Sequence, residues 1–155
     1  MDLNINSPTY YTQENGVDDE IYWMCRSLSD YVKDKKYCDL INIIGIVPII
    51  APVSVLERGL CKAHKKCEPR YGYASISLQI DYEQYVKADI DNKKRMIVDN
   101  ILSSVKAVSL KGKIDYNSFA EDVMNFCVNN DIAIWNMYIL DYLNPYVTIT
   151  LNSGY

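Results

Sequence analysis

Between Tyr73 and Tyr82 the chain alternates: Ala74, Ile76, Leu78 and Ile80 fall on one side of an extended backbone, and Ser75, Ser77, Gln79 and Asp81 on the other. The pattern predicts a strand with one wet face, followed by a turn through Glu83 to Ala88. Periodicity then becomes helical from Asp89 to Val108. Ile90, Ile97, Val98, Ile101, Val105 and Val108 form one stripe, Asp89 or Asp91 caps its start, and Gly112 ends it. An earlier helix is expected from Asp19 to about Lys35, where Ile21, Met24, Cys25, Leu28, Tyr31 and Val32 share a face. Its acids come first and its lysines last, as the helix dipole favours. A further helix carries Phe119, Val123, Phe126 and Cys127. It opens at the capping box Ser118-x-x-Glu121, or earlier at Asp115, and stops at Asn129-Asn130.

Shorter patterns fill the remainder. Leu3 and Ile5 alternate with Asn4 and Asn6 until Ser7-Pro8, a possible first strand. Leu40 to Val47 reads as a buried strand running into a Pro-bounded loop, and a short helix is expected around Val53 to Leu60. Ile132 to Leu140 is apolar on both faces, so strand and buried helix remain open there. Val147, Ile149 and Leu151 alternate with Thr148 and Thr150 as a final strand. With no repeat or linker, residues 1–155 read as one domain. The expected fold is α/β (α+β): a mostly antiparallel sheet of about four or five strands, with about three helices packed on one face.

Composition narrows the function. The chain has 155 residues, 49% hydrophobic and 23% charged, with a net charge of −4. That balance argues against direct nucleic-acid binding, which leaves a basic footprint. The uncharged stretch Leu40 to Leu56 is too short for a membrane span and contains Pro48 and Pro52. No secretory signal is visible at the start, and five scattered cysteines suit reduced thiols in the cytoplasm. Tyrosine is abundant, 14 against 2 phenylalanines and 2 tryptophans. Such rings serve equally as core margins or as contact surface for a protein partner.

Candidate chemistry is sparse. Cys61-x-x-His64-x-x-Cys67, with Cys38 as a fourth donor, has metal-ligand residue types. It also offers a thiol beside the single histidine, so a small zinc-binding or thiol-dependent enzyme is the alternative reading. Three interleaved lysines and the lack of any CxxC pair favour a cationic loop with no metal. Arg58, Lys62, Lys65, Lys66 and Arg70 add to that basic loop. Carboxylates gather at Asp81, Glu83, Asp89 and Asp91 and again at Asp18, Asp19 and Glu20. Paired carboxylates can act as acid and base, but neither a histidine nor a glycine-rich phosphate loop accompanies them. The chain is therefore expected to be no enzyme and to need no cofactor.

Val47-Pro48-Ile49-Ile50, Glu57-Arg58, Leu78 to Tyr85, Lys87-Ala88-Asp89, Asn100 to Val105 and Phe119 to Val123 together resemble the immunity protein 44 family of bacterial polymorphic toxin systems. The likeness runs from about Asp18 to Cys127. It implies a cytoplasmic antitoxin of the contact-dependent inhibition type, without catalysis of its own. Such a protein binds the C-terminal effector domain of a cognate toxin and blocks its active site or substrate access. Many such effectors are nucleases, which tend to be basic, so an acidic inhibitor fits. Acidity and tyrosine content then select the expected contact surface: Asp81, Tyr82, Glu83, Tyr85, Asp89 and Asp91, with Asp18, Asp19 and Glu20 next.

Overall fold

The computed structural model describes residues 2–10, 18–37, 43–52, 54, 73–112, 114–132 and 147–152. The alternating segment forms the longest strand, β5 (Tyr73–Asp81). Before it come β1 (Asp2–Ile5), β2 (Thr9–Tyr10), α1 (Asp19–Val32), β3 (Ile43–Ile46) and β4 (Ile49–Ala51). After it come α2 (Tyr82–Lys87), α3 (Ile90–Gly112), α4 (Tyr116–Asn129) and β6 (Val147–Asn152).

The six strand segments make four rows. Ile43 lies opposite Tyr73 and Ile49 opposite Gln79, the same offset, so β3 and β4 are one strand interrupted at Val47-Pro48. Pro48 has no N–H to give, but its carbonyl accepts from Thr9 N–H at 2.9 Å and keeps the neighbouring row attached. That outer row, β1 and β2, carries one residue more than its partner. Ile5 pairs with Ile46 but Thr9 with Ile49, so Asn6-Ser7-Pro8 bulges against Val47-Pro48. The bulge changes the phase of the outer strand. Ile5 and Tyr10, which an uninterrupted strand would send to opposite faces, both fall in line with the buried Ile46 and Ile50.

Direction is where the sheet departs from expectation. β1–β3, β2–β4, β3–β5 and β4–β5 are all parallel, and only β5–β6 is antiparallel. The expected mostly antiparallel sheet is thus replaced by a mixed α/β arrangement. The cause is connectivity: α1 stands between the first and second rows, and a helical crossover returns the chain in the same direction. Four helices are present among the described residues instead of about three. The expected turn at Glu83 to Ala88 is the six-residue helix α2, capped where Asp81 Oδ1 accepts from Glu83 N–H at 3.3 Å. The loop expected after Val47 includes β4. Asp115 opens α4, taking Ser118 N–H at 3.1 Å and Ser118 Oγ–H at 2.7 Å, which decides between the two starts considered. The readings at Val53 to Leu60 and Ile132 to Leu140 lie outside the described residues beyond Ser54 and Ile132.

α1, α3 and α4 pack on one another, with α1 against β1 and α3 against β5 and β6. Ile21, Leu28 and Val32 of α1, Ile97, Ile101 and Val105 of α3, and Phe119 and Val123 of α4 close over Ile46 and Ile50. Each such aliphatic or aromatic side chain contributes about 1.5–3 kcal/mol on leaving water. Polar bonds fix the approach of α4 to the end of α1. The Tyr37 hydroxyl donates to Asp122 Oδ2 at 2.5 Å, Lys35 Nζ lies 3.4 Å from Oδ1, and Asp115 N–H donates to the Tyr37 carbonyl at 2.8 Å.

Candidate functional site

Parallel rows end together. β2 stops at Tyr10, β4 at Ala51 and β5 at Asp81, and at this carboxyl edge α1, α2 and α3 begin. Two ion pairs tie the helix starts to each other: Lys93 Nζ to Asp18 Oδ2 at 3.0 Å, and Lys94 Nζ to Glu20 Oε2 at 3.2 Å. Topology therefore gathers Asp18, Asp19, Glu20, Asp81, Glu83, Asp89 and Asp91, two separate acidic runs in sequence, at one end of the molecule. Asp89 caps α3, its Oδ1 accepting from Asn92 N–H at 2.8 Å. Among the described residues, Asp19, Asp81, Glu83, Asp89 and Asp91 have no lysine or arginine within ion-pair distance. The carboxyl edge of a parallel sheet is where α/β folds bind ligands, with helix N-termini turned toward anions. Here carboxylates occupy those termini themselves. Carboxylates so placed disfavour a phosphate and favour a cationic group.

Tyrosines line the same edge from beneath. The rings of Tyr10 and Tyr82 meet edge-on at 6.4 Å, and those of Tyr10 and Tyr85 at 6.0 Å. Tyr82 is half-buried, but Tyr85 is 0% exposed. Its ring fills the core under α2, with Lys93 Nζ 5.3 Å above the ring centroid. Burial, and then the adjacent Tyr10, hold its hydroxyl protonated far above the usual range. Tyr85 thus supports the surface from below and does not belong to it.

The alternative chemistry gains nothing from the described residues. Cys38, Cys61, His64, Cys67 and the basic loop lie outside them. Burial pushes the thiols of Cys25 and Cys127 up to about 12 and about 11, so neither is a nucleophile at neutral pH. Among the described residues, no three His, Cys, Asp or Glu side chains converge as metal ligands, and no helix is long and apolar enough to cross a membrane.

A model of the immunity protein 44 family matches residues 1–129. The chain belongs to that family. The match takes in β1 to β5 and all four helices, so the acidic edge lies within it whole. It also begins ahead of Asp18 and so includes Tyr10. No curated protein and no solved structure matches. As an immunity protein the chain has a cognate toxin for a partner, and proteins of this kind are generally not enzymes.

Two features of this immunity protein escape sequence reasoning. Trp23 is 59% exposed on α1, and a cleft of about 340 Å³ opens beside it between α1 and α4. The signal was present: Trp23 lies off the stripe of Ile21, Met24, Cys25 and Leu28, on the face that carries Asp19 and Ser27. The second is Asp99 on α3. Burial raises its carboxyl from the ordinary 3.8 to about 6, although Arg95 pulls the other way. Because the folded-state value is the higher one, the folded chain holds the proton more tightly between about pH 4 and 6. Stability therefore falls as pH rises through that window. Asp99→Asn should stabilise this immunity protein at pH 7 by about 1–2 kcal/mol, allowing for partial solvent screening, and change little at pH 4. Urea melts of both proteins at the two pH values check this, and equal midpoints at pH 7 would refute it.

Proposed function

We propose that this immunity protein neutralises a basic toxin effector domain, a nuclease, by seating its acidic carboxyl edge over the active site or the path to it. The observation that carries this reading is the set of five carboxylates that have no cation at ion-pair distance among the described residues, gathered with Asp18 and Glu20 at one edge of the sheet. Nucleases bind phosphate through lysines and arginines, and an edge of this sign competes for those groups. Asp81, Glu83, Asp89 and Asp91, with Tyr82, form the first contact set. Asp18, Asp19 and Glu20 form the second. The inhibition is stoichiometric and cytoplasmic, in a contact-dependent inhibition system, and uses no cofactor, nucleic acid or membrane.

Co-expression with the product of the adjacent toxin gene tests it. The immunity protein should restore growth, co-purify with the toxin at equal stoichiometry, and abolish nucleic-acid cleavage by the purified toxin. A neighbouring product that is harmless, or that does not bind, would sink the reading. A toxin that is bound and inhibited but leaves DNA and RNA intact would keep the antitoxin and remove the nuclease.

A further inference from the structure

The cleft between α1 and α4 is built differently from the acidic edge that it adjoins. It is lined by the exposed Trp23 with Met24, Phe126 and Ile132, and on its polar side by Ser27, Asn130 and Lys94. Ile132 reaches this position because Asp131 takes a left-handed conformation (φ 56°) at the end of α4. The turn is closed by Ile132 N–H donating to the Cys127 carbonyl at 2.9 Å, the geometry of a Schellman cap. At the mouth stand Asp19 and Glu20. Glu20 is held by Lys94 at 3.2 Å, and Asp19 has no cation within ion-pair distance among the described residues. Asp19 and Trp23 are four residues apart on α1, so carboxylate and indole share one face of the helix. Tyr22 meets the indole edge-on at 5.3 Å and limits its freedom before any partner arrives.

A slot with a flat aromatic wall, with Lys94 already engaged by Glu20 and with the Asp19 carboxylate left without a cation among the described residues, fits one side chain well. A guanidinium is planar, stacks on indole and bonds a carboxylate with two parallel N–H groups, while its methylene stem tolerates apolar walls. A lysine ammonium offers a point charge and stacks less well, and a neutral apolar side chain would leave Asp19 desolvated and unpaired. We infer that the Trp23–Asp19 cleft receives an arginine of the cognate toxin, as a second and more selective anchor beside the steering charges of the edge. This rests on the immunity reading.

The test uses the full-length immunity protein and a catalytically inactive variant of the toxin domain. Trp23→Ala should weaken the complex about thirtyfold, as for a buried aromatic anchor, and Asp19→Asn about five- to tenfold. Trp23 is exposed, so a preserved melting transition is expected. Ser27→Arg, which obstructs the cleft while leaving Trp23 in place, should weaken binding comparably. An Arg→Lys scan of the toxin should reveal one position that reproduces the loss and is non-additive with Trp23→Ala. If the wild-type complex forms but all three variants bind within twofold of it, the inference falls while the immunity function stands. Absence of any wild-type complex overturns both. A concentration-dependent dimer of the immunity protein alone, abolished by Trp23→Ala, would assign the cleft to a second copy of this chain and overturn the arginine.

Discussion

Tyr85→Ala is expected to destabilise the protein by about 3–5 kcal/mol, the range for removing a large aromatic side chain from a closed core. Tyr85 is among the largest fully buried side chains and stands where three elements meet. Its ring touches Tyr10 at the end of β2 and lies beneath Lys93 of α3, while its own backbone is α2. The cavity left by truncation cannot collapse without moving α2 off the sheet, and α2 carries Tyr82 and Glu83. Loss of stability and loss of toxin binding should therefore appear together in Tyr85→Ala. Tyr85→Phe, which keeps the ring, should retain most of both. Urea denaturation followed by far-ultraviolet circular dichroism measures the first. A loss below about 1 kcal/mol would show that the ring is dispensable and that the carboxyl edge is braced by something else.

The second large effect concerns association rate. Asp81→Asn combined with Glu83→Lys and Asp91→Lys cancels the net negative charge of the unpaired carboxylates of the edge while sparing the fold. Asparagine at Asp81 still accepts the Glu83 N–H that opens α2, and Glu83 and Asp91 are exposed. With a cationic partner, the triple variant should associate at least about tenfold more slowly at low ionic strength. The gap should shrink toward parity near 0.5 M salt, where the screening length falls to a few ångströms. Stopped-flow mixing with the toxin domain across a salt series supplies the measurement. Rates within twofold of each other at low salt would mean that the toxin approaches another face.

Much of this was legible in the chain because one-sided burial writes itself as period. Ile97, Ile101 and Val105 read as the inner face of α3, and Phe119 and Val123 as that of α4, and all five are buried. Strand direction was not legible, since Ala74, Ile76, Leu78 and Ile80 alternate identically beside parallel or antiparallel neighbours. α2 was hidden by its length: six residues hold fewer than two turns, too few for a period to show. The same short helix explains the position of Tyr85. Its acidic neighbours in sequence suggest exposure, whereas the helix turns it inward beside Tyr10. The convergence of Asp18, Asp19 and Glu20 with Asp89 and Asp91 depends on two lysines of α3 that no local pattern singles out.

The extra residue in the outer row also bears on how much of this protein a cell can hold. An antitoxin has to be on hand before its toxin, and crowded copies with a bare strand at the sheet margin are prone to stack into fibres. A copy trying to extend this sheet would find four residues of regular ladder in β1, then Pro8 without an N–H and a slipped repeat, then only the two residues of β2. The irregularity that sets Tyr10 in place thus also shortens the regular ladder that this margin offers to a second copy.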